Sequence, residues 1–597
     1  MSPEGYSLVN GTTVKGLRTK VGGSTSPTGV SAITHNHRPS SGCEDSLAPK
    51  TGIFGTEIAL SITGIVSVQT RGGVEISSVR SIVTAQKPPV AEAYGSDDQP
   101  LIAAPVGWRG RCRSGVSFLV VLTFVFLSLV FILAHGKVAD PDLWWHLHNT
   151  DYLIHHHSLP RSDIYSFTVP GYPWMNHEWL AELPYYFGWR VLGLDGIDAV
   201  TIAVLTLIFL GVLYIAYREC GNYKAAVLAS SYAVFLGKFS FGPRTILFGY
   251  ACLVVLLIVL QRLRQKGHAP LWLIPPLFCL WVNTHGSWFI GMIIFSMIVA
   301  GGLVRLKWGM IDSEPWTPAQ RKNLLLTWGA SVAALFVNPY GARLVFYPLD
   351  LAFRQKVNIE HVAEWISVNF HDTRGKFVIV LLVILLVSSL LRPRRWTLSE
   401  LALSLFVLYS GLTYVRFLFL LGIIIAPVLA KFLDFVPPYR RELDTPVLNT
   451  FAILLIIAGI VYYWPRQAQL QRLVDDQYPV QALAYLQAHP PSGPIVNYYL
   501  WGGYLNWKDP NLKVFIDGRA DIFEYNGVFQ DYLSLLGLEA PESILDKYKA
   551  RYVLFPHHEA LTYFMEHDPR WRTVYSDQLC VLLERIGNDP AGEHPGG

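Results

Sequence analysis

The sequence predicts an all-α polytopic membrane protein of about 11 transmembrane helices, followed by an extracytoplasmic α/β domain. Three observations carry this. First, 51% of the 597 residues are hydrophobic and only 15% are charged, against about 25% charged in an ordinary soluble domain. Second, apolar runs recur between residues 116 and 464, many near the ~20 residues that a helix needs to cross a bilayer. Third, the chain after 465 alternates short strand-like and helix-like segments. This composition excludes a disordered chain, a collagen-like rod and a disulfide-stapled miniprotein. With 48 basic and 44 acidic residues, the net charge of +4 does not point to a nucleic-acid partner.

Residues 1–112 read as a disordered cytoplasmic tail, rich in Gly, Ser, Thr and Pro without a sustained apolar period. No basic n-region, apolar h-region and cleavage site follow Met1, so no removable signal peptide is expected. A transmembrane domain occupies 113–464, with spans at 116–135, 196–217, 225–241, 245–261, 270–284, 287–304, 324–338, 377–391, 398–413, 416–433 and 447–464. With the N-terminus inside, every inner flank is basic. The flanks are Arg109, Arg111 and Arg113; Arg218 and Lys224; Arg262, Arg264 and Lys266; Arg305, Lys307, Arg321 and Lys322; Arg392, Arg394 and Arg395; and Lys431, Arg440 and Arg441. An odd number of spans then places the C-terminal region outside. The six cysteines are scattered, with neither a CxxC pair nor zinc spacing.

Three segments fall outside: a first loop 135–195, a loop 338–376, and the region from 465 on. In the second, Ile359, Val362, Ala363 and Ile366 form a helical stripe, suited to a helix on the outer membrane surface with Glu360 and Glu364 turned away from lipid. Residues 465–586 read as an α/β domain, with strands in PIVNYYL, KVFID, RYVLFP, WRTVYS and CVLLERI, and 587–597 as a disordered end.

The first loop is richest in chemistry. Asp140 and Asp142 follow the first span directly, beside Trp144 and Trp145, and Asp142 shares a helical face with His146. Carboxylates at a membrane boundary can serve as a general base or position a cation. The same residues also fit a helix capped by Asp140 beside an interfacial tryptophan belt. Asp163 and the pair His177-Glu178 follow. Seven of the 18 histidines lie in this loop, so a divalent metal is chemically compatible, but no HExxH or other tight ligand spacing occurs.

The ordered series DPDLWWHL, HHSLPRSDIYSFT, HEWL, WVNTHGSWFIG, NPYGARL, EWIS and WGGYLNW…VFIDGRADIF resembles a bacterial branch of the GT-C superfamily, over roughly Ser114 to Ile586. These are integral-membrane glycosyltransferases that use polyprenyl-phosphate-linked sugars. The resemblance implies a sugar donor of that kind, an extracytoplasmic glycan, lipid or protein acceptor, and a multi-pass protein of the cytoplasmic membrane. It implies a loop-one carboxylate as catalytic base, Asp140 or Asp142, and inversion as lipid phosphate leaves. Pro141 between them departs from the Asp-Glu pair of many relatives. WGGYLNW lacks the acidic residue of a peptide-acceptor motif, so peptide recognition is not carried over.

Further residues are candidates for substrate binding. Asp517, Arg519 and Asp521 follow a strand end, the usual ligand edge of an α/β sheet, although an Arg519–Asp521 pair fixing a turn fits equally. His285 lies in a very short outer turn, and Glu364 in EWIS. Lys238, Arg244 and Arg416 sit at outer turns against the topogenic bias, where a lipid phosphate would meet them. No Walker or Rossmann glycine motif is present, so a nucleotide cofactor is not expected. The rival reading is a non-catalytic protein of the same fold, a glycan flippase or an assembly subunit. The spans carry few ionisable residues, which favours the enzyme.

Overall fold

The computed structural model describes residues 116–586. The expected tail 1–112, with the flank Arg109, Arg111 and Arg113, and the expected end 587–597 lie outside the described residues. The architecture is mostly helical. In chain order the helices are α1 Phe118–Ala134, α2 Pro141–His156, α3 Trp179–Leu192, α4 Leu194–Cys220, α5 Tyr223–Gly237, α6 Ile246–Lys266, α7 Ile274–Val282 and α8 Trp288–Gly301. A hairpin of β1 Leu306–Trp308 and β2 Ile311–Ser313 precedes α9 Pro318–Ala334, α10 Ala342–Arg354, α11 Lys356–His361, α12 Thr373–Leu391, α13 Leu398–Thr413, α14 Leu418–Phe432 and α15 Pro446–Tyr463. Every apolar run read as a span falls on a helix. Five stretches are long and apolar enough to cross a membrane: α4, α6, α12, Val415–Phe432 and α15. Shorter apolar helices accompany them; α7 has 9 residues and rises only about 13 Å.

Packing sorts these helices. α14 lies at the centre, with Phe419 stacked on Phe209 of α4 at 5.4 Å. Gly422 lets its backbone approach α5 closely, since a Cβ there would meet the Ala233 carbonyl at 3.0 Å. At the other extreme, α15 leaves Val447, Leu448, Phe451 and Val461 exposed, an apolar surface that a bilayer would cover.

After α15 come α16 Gln467–Asp475, α17 Val480–Ala488, β3 Ile495–Asn497, α18 Gly502–Lys508, α19 Ala520–Tyr525, α20 Val528–Leu536, α21 Pro541–Lys547, β4 Tyr552–Pro556, α22 Ala560–Glu566, β5 Trp571–Ser576 and β6 Cys580–Arg585. The strands form one mixed sheet in the order β3-β4-β6-β5, with β3 parallel to β4 and the rest antiparallel. Alternate residues feed opposite cores, as strand geometry requires. Val553, Phe555, Val581 and Leu583 pack on one face, and Leu554, Cys580 and Leu582 on the other.

The loop 135–195 is built into both cores. Trp144 joins one and Trp145 the other, at 1% and 6% exposure, so the pair is domain core and not an interfacial belt. The segment expected as a strand in KVFID makes only isolated bridges, from Val514 to Ile495 and to Ser166. Its backbone is shared: Asn497 Nδ2 donates to the Ile516 carbonyl, the Phe515 N–H donates to Asn497 Oδ1, and Phe167 N–H donates to the Val514 carbonyl. The side-chain amide thus replaces ladder bonds and ties the loop to the sheet. The expected amphipathic helix over Ile359–Ile366 also differs. α11 stops at His361, a short turn Ala363–Trp365 follows, and Val357 and Val362 pack against the C-terminal domain core.

Candidate functional site

Most of the candidate residues, Asp521 included, line a single cavity of about 520 Å³ floored by α6, α8, α13 and α14; Asp163 and Asp517 reach it only through Arg519, which they hold. Lys238 does not line it. It sits in the turn closing α5, where its Nζ lies over the Phe239 and Phe377 rings at 4.9 and 5.2 Å, so aromatic faces take its charge away from the cavity.

Helix α2 delivers both loop-one carboxylates. Asp140 is its N-cap, Oδ1 accepting from the Asp142 N–H at 3.1 Å, and Pro141 takes N1, where no N–H is needed. The second oxygen of Asp140 accepts from Arg244 Nε at 2.8 Å. Asp142 is placed differently. Its Oδ1 accepts from Trp145 Nε1 at 3.1 Å, and burial pushes its carboxyl up to about 6, against the pull of His146 and the Trp145 N–H. The C-terminal domain closes over it. A Cβ at Gly518 would lie 2.1 Å from Asp142 Oδ1 and 3.0 Å from Trp145 Nε1, so a side chain there would displace the Asp142 carboxylate.

Behind Asp142 stands a buried imidazole–carboxylate network. His146 Nδ1 lies 2.8 Å from Glu182 Oε1, and Glu182 Oε2 accepts from Asn176 Nδ2 at 2.9 Å. Glu178 has His285 Nε2 at 3.2 Å and the Nε2 atoms of His146 and His177 at 3.5 Å. Burial lifts Glu178 to about 7 and Glu182 to about 8, and the same desolvation holds His146, His177 and His285 below the ordinary imidazole value. Among the described residues, no group of three or more His, Cys, Asp or Glu is placed to hold a metal ion. The run His155-His156-His157 is exposed on the surface.

Three arginines line the cavity. Arg244 bridges Asp140 and Glu364; burial would raise Glu364, but Arg244 and Arg416 outweigh it and hold the carboxyl low. Glu364 is therefore a cavity ligand to arginine, not part of a solvent-facing helix side. The guanidinium of Arg416 has no hydrogen-bond or ion-pair partner among the described residues and lies over the Trp365 ring at 4.1 Å. Arg519 pairs with Asp163 at 2.7 Å and Asp517 at 2.6 Å, not with Asp521. Residues two apart at a helix start do not face each other, and Asp521 instead accepts from the Tyr347 hydroxyl at 3.1 Å.

Sequence reasoning missed Glu182, Trp174, Tyr347, Tyr499 and Gly518. Only Glu182 carried a signal, an acidic residue four after Glu178 inside an apolar helix.

The cavity is bipartite. Carboxylates, imidazoles and arginines line one part of it, while Ile246, Phe289, Ile293, Phe406 and Leu420, from the apolar helices α6, α8, α13 and α14, line the other.

No family model and no curated protein matches the sequence. Among solved structures, the chain is similar to an oligosaccharyltransferase from Archaeoglobus fulgidus tethered with an acceptor peptide, at TM-score 0.45 and 12% identity over 74% of this chain and 69% of that one. It is similar to AglB from the same organism in complex with an inhibitory peptide and a dolichol-phosphate, at TM-score 0.44 and 13% identity over 74% and 69%. It is also similar to ArnT from Cupriavidus metallidurans bound to undecaprenyl phosphate, at TM-score 0.43 and 11% identity over 79% of this chain and 99% of that one.

Proposed function

We propose that this chain is a membrane glycosyltransferase that moves a sugar from a polyprenyl phosphate to an extracytoplasmic acceptor. The observation that carries the reading is the bipartite cavity. An isoprenoid tail suits the apolar part, a phosphate suits the unpaired Arg416 guanidinium, and a sugar carried on it would lie at the level of Asp142.

Asp142 is the base in this reading. Its carboxylate removes the proton from an acceptor hydroxyl, the oxygen attacks the anomeric carbon, and the bond from that carbon to the phosphate oxygen breaks with inversion. The phosphate leaves with both bonding electrons, and Arg416 balances its charge. Asp140 is occupied by Arg244 and by the helix cap, so it positions the loop. The three segments that the charge rule places outside are packed around this one cavity, which supports an extracytoplasmic site with the N-terminus in the cytoplasm.

A deletion strain examined by mass spectrometry should lack one sugar on an envelope lipid, polysaccharide or protein, and Asp142→Asn should not restore it. Restoration by the double variant Asp140→Ala, Asp142→Ala would assign the chain to a non-catalytic role.

A further inference from the structure

The cavity wall formed jointly by the first loop and the C-terminal domain carries polar atoms that the protein itself does not satisfy. Arg519 is 3% exposed and Trp174 7% exposed. Arg519 spends Nε and one terminal nitrogen on Asp517 and Asp163, yet among the described residues neither its Nη1 nor Trp174 Nε1 has a hydrogen-bond partner. Both residues line the cavity, as do His177, Tyr347 and Asp521. The Arg519 guanidinium lies 5.0 Å from the Trp174 ring, the His177 ring lies 4.5 Å from that of Tyr347, and Tyr347 donates to Asp521. Buried polar groups are nearly always satisfied, so a cluster left open on a cavity wall marks a place where a ligand completes the bonds.

The chemistry of the cluster selects the ligand. Arg519 and Trp174 offer N–H donors, so they need an acceptor oxygen; an ammonium group has none to give. An anion would supply acceptors, but Arg519 is already neutralised by two carboxylates, and Asp521, Asp142 and Glu178 share the cavity and repel negative charge. Hydroxyls both accept and donate, and can bond to Arg519 and Trp174 on one side and to Asp521 on the other. Trp145 packs edge-on to Trp174 at 6.0 Å, which sets aromatic faces beside these polar atoms.

We propose that Trp174, Arg519 and Asp521 form a subsite for an uncharged, hydroxyl-bearing sugar ring, distinct from the Arg416 phosphate position. This deepens the glycosyltransferase reading and rests on it. The ring is either the sugar on the donor lipid or that of a glycan acceptor, and one experiment separates them.

Purified full-length protein in lipid nanodiscs would be titrated with a short-chain polyprenyl phosphate, the same lipid carrying a neutral hexose, and a methyl hexopyranoside. Trp174→Phe keeps an aromatic ring, though a smaller one, and removes the N–H, and Asp521→Asn is its companion. Each should weaken binding of a hydroxyl-bearing ligand by about 3- to 10-fold and leave the bare polyprenyl phosphate unchanged. Weakening confined to the sugar-bearing lipid assigns the donor ring; weakening confined to the methyl glycoside assigns the acceptor. Unchanged affinity for both in both variants overturns the subsite. Failure of the wild type to bind either lipid would instead defeat the glycosyltransferase reading, and the glycoside arm would still decide the subsite.

Discussion

On one side of the cavity's polar end, Arg244, Asp140 and Glu364 form a closed triad in which both carboxylates hold the same guanidinium. On the other side, among the described residues, the Arg416 guanidinium rests on Trp365 with no hydrogen-bond partner, and the Asp142 carboxylate accepts from the Trp145 N–H. Both arginines sit at short turns that the charge rule places outside, and in sequence both break that rule in the same way. The difference lies in partner supply. A buried arginine with two carboxylates is spent on architecture, whereas one with an aromatic support keeps its donors for a ligand. The closed side holds the first loop in place, and the open side is where reacting groups can enter.

The largest test of this contrast removes the open-side base. Asp142→Asn should lower transfer about 10²–10⁴-fold, the usual contribution of a placed general base, while Asp140→Asn, which keeps a good helix cap, should lower it less and cost stability through the weakened pair with Arg244. Equal losses from both would erase the distinction. Thermal unfolding sharpens it. The folded protein raises the Asp142 carboxyl from 3.8 to about 6, so the stability linked to holding that proton is full below the unfolded value and lost as pH rises through about 6. Asp142→Asn should therefore stabilise the fold at pH 7, on the order of 1–3 kcal/mol, as it removes activity.

Next in size is Gly518→Ala. The new methyl would meet the Asp142 carboxylate end, a flexible group that can turn aside, so the protein should fold. Misplacing the base by about 1 Å should cost roughly 10²-fold in turnover, with lipid binding unchanged in a titration. Retained turnover would show that the C-terminal domain does not set the Asp142 position.

Smaller effects separate the two arginines. Arg416→Ala should weaken polyprenyl phosphate binding about 10- to 100-fold, the worth of a charged hydrogen bond, and leave the melting temperature unchanged. Arg244→Ala should do the reverse in stability. It leaves Asp140 and Glu364 buried without their cation, costing on the order of 2–4 kcal/mol. Comparable melting temperatures would mean that the triad is not structural. The smallest effect is in the wild type's pH profile, where the rate should rise with pH through about 6 as Asp142 ionises.

Much of this was legible from residues alone. The spans follow from uninterrupted apolar runs, and the Asp142–His146 face follows from helical spacing, because both depend on local pattern. The split of Trp144 and Trp145 between two cores did not, since adjacent aromatics after a span look alike whether they meet lipid or a domain 350 residues later in the chain. The segment Ile359–Ile366 misled for a related reason. Its stripe was read against a membrane, but Val362 packs on the C-terminal domain and Glu364 reaches Arg244, so both of its faces are used. Gly518 left no trace in sequence because its role is defined by an atom of Asp142, which only the fold brings there.

The most direct test of the central claim is single-turnover transfer by purified protein, using a short-chain polyprenyl phosphate that carries a neutral hexose and the acceptor fraction of a deletion strain. Wild-type protein should release the bare lipid phosphate and form one new glycosidic bond, and Asp142→Asn should bind the lipid normally and release less than about 1% as much. Turnover by Asp142→Asn at the wild-type rate would contradict the account.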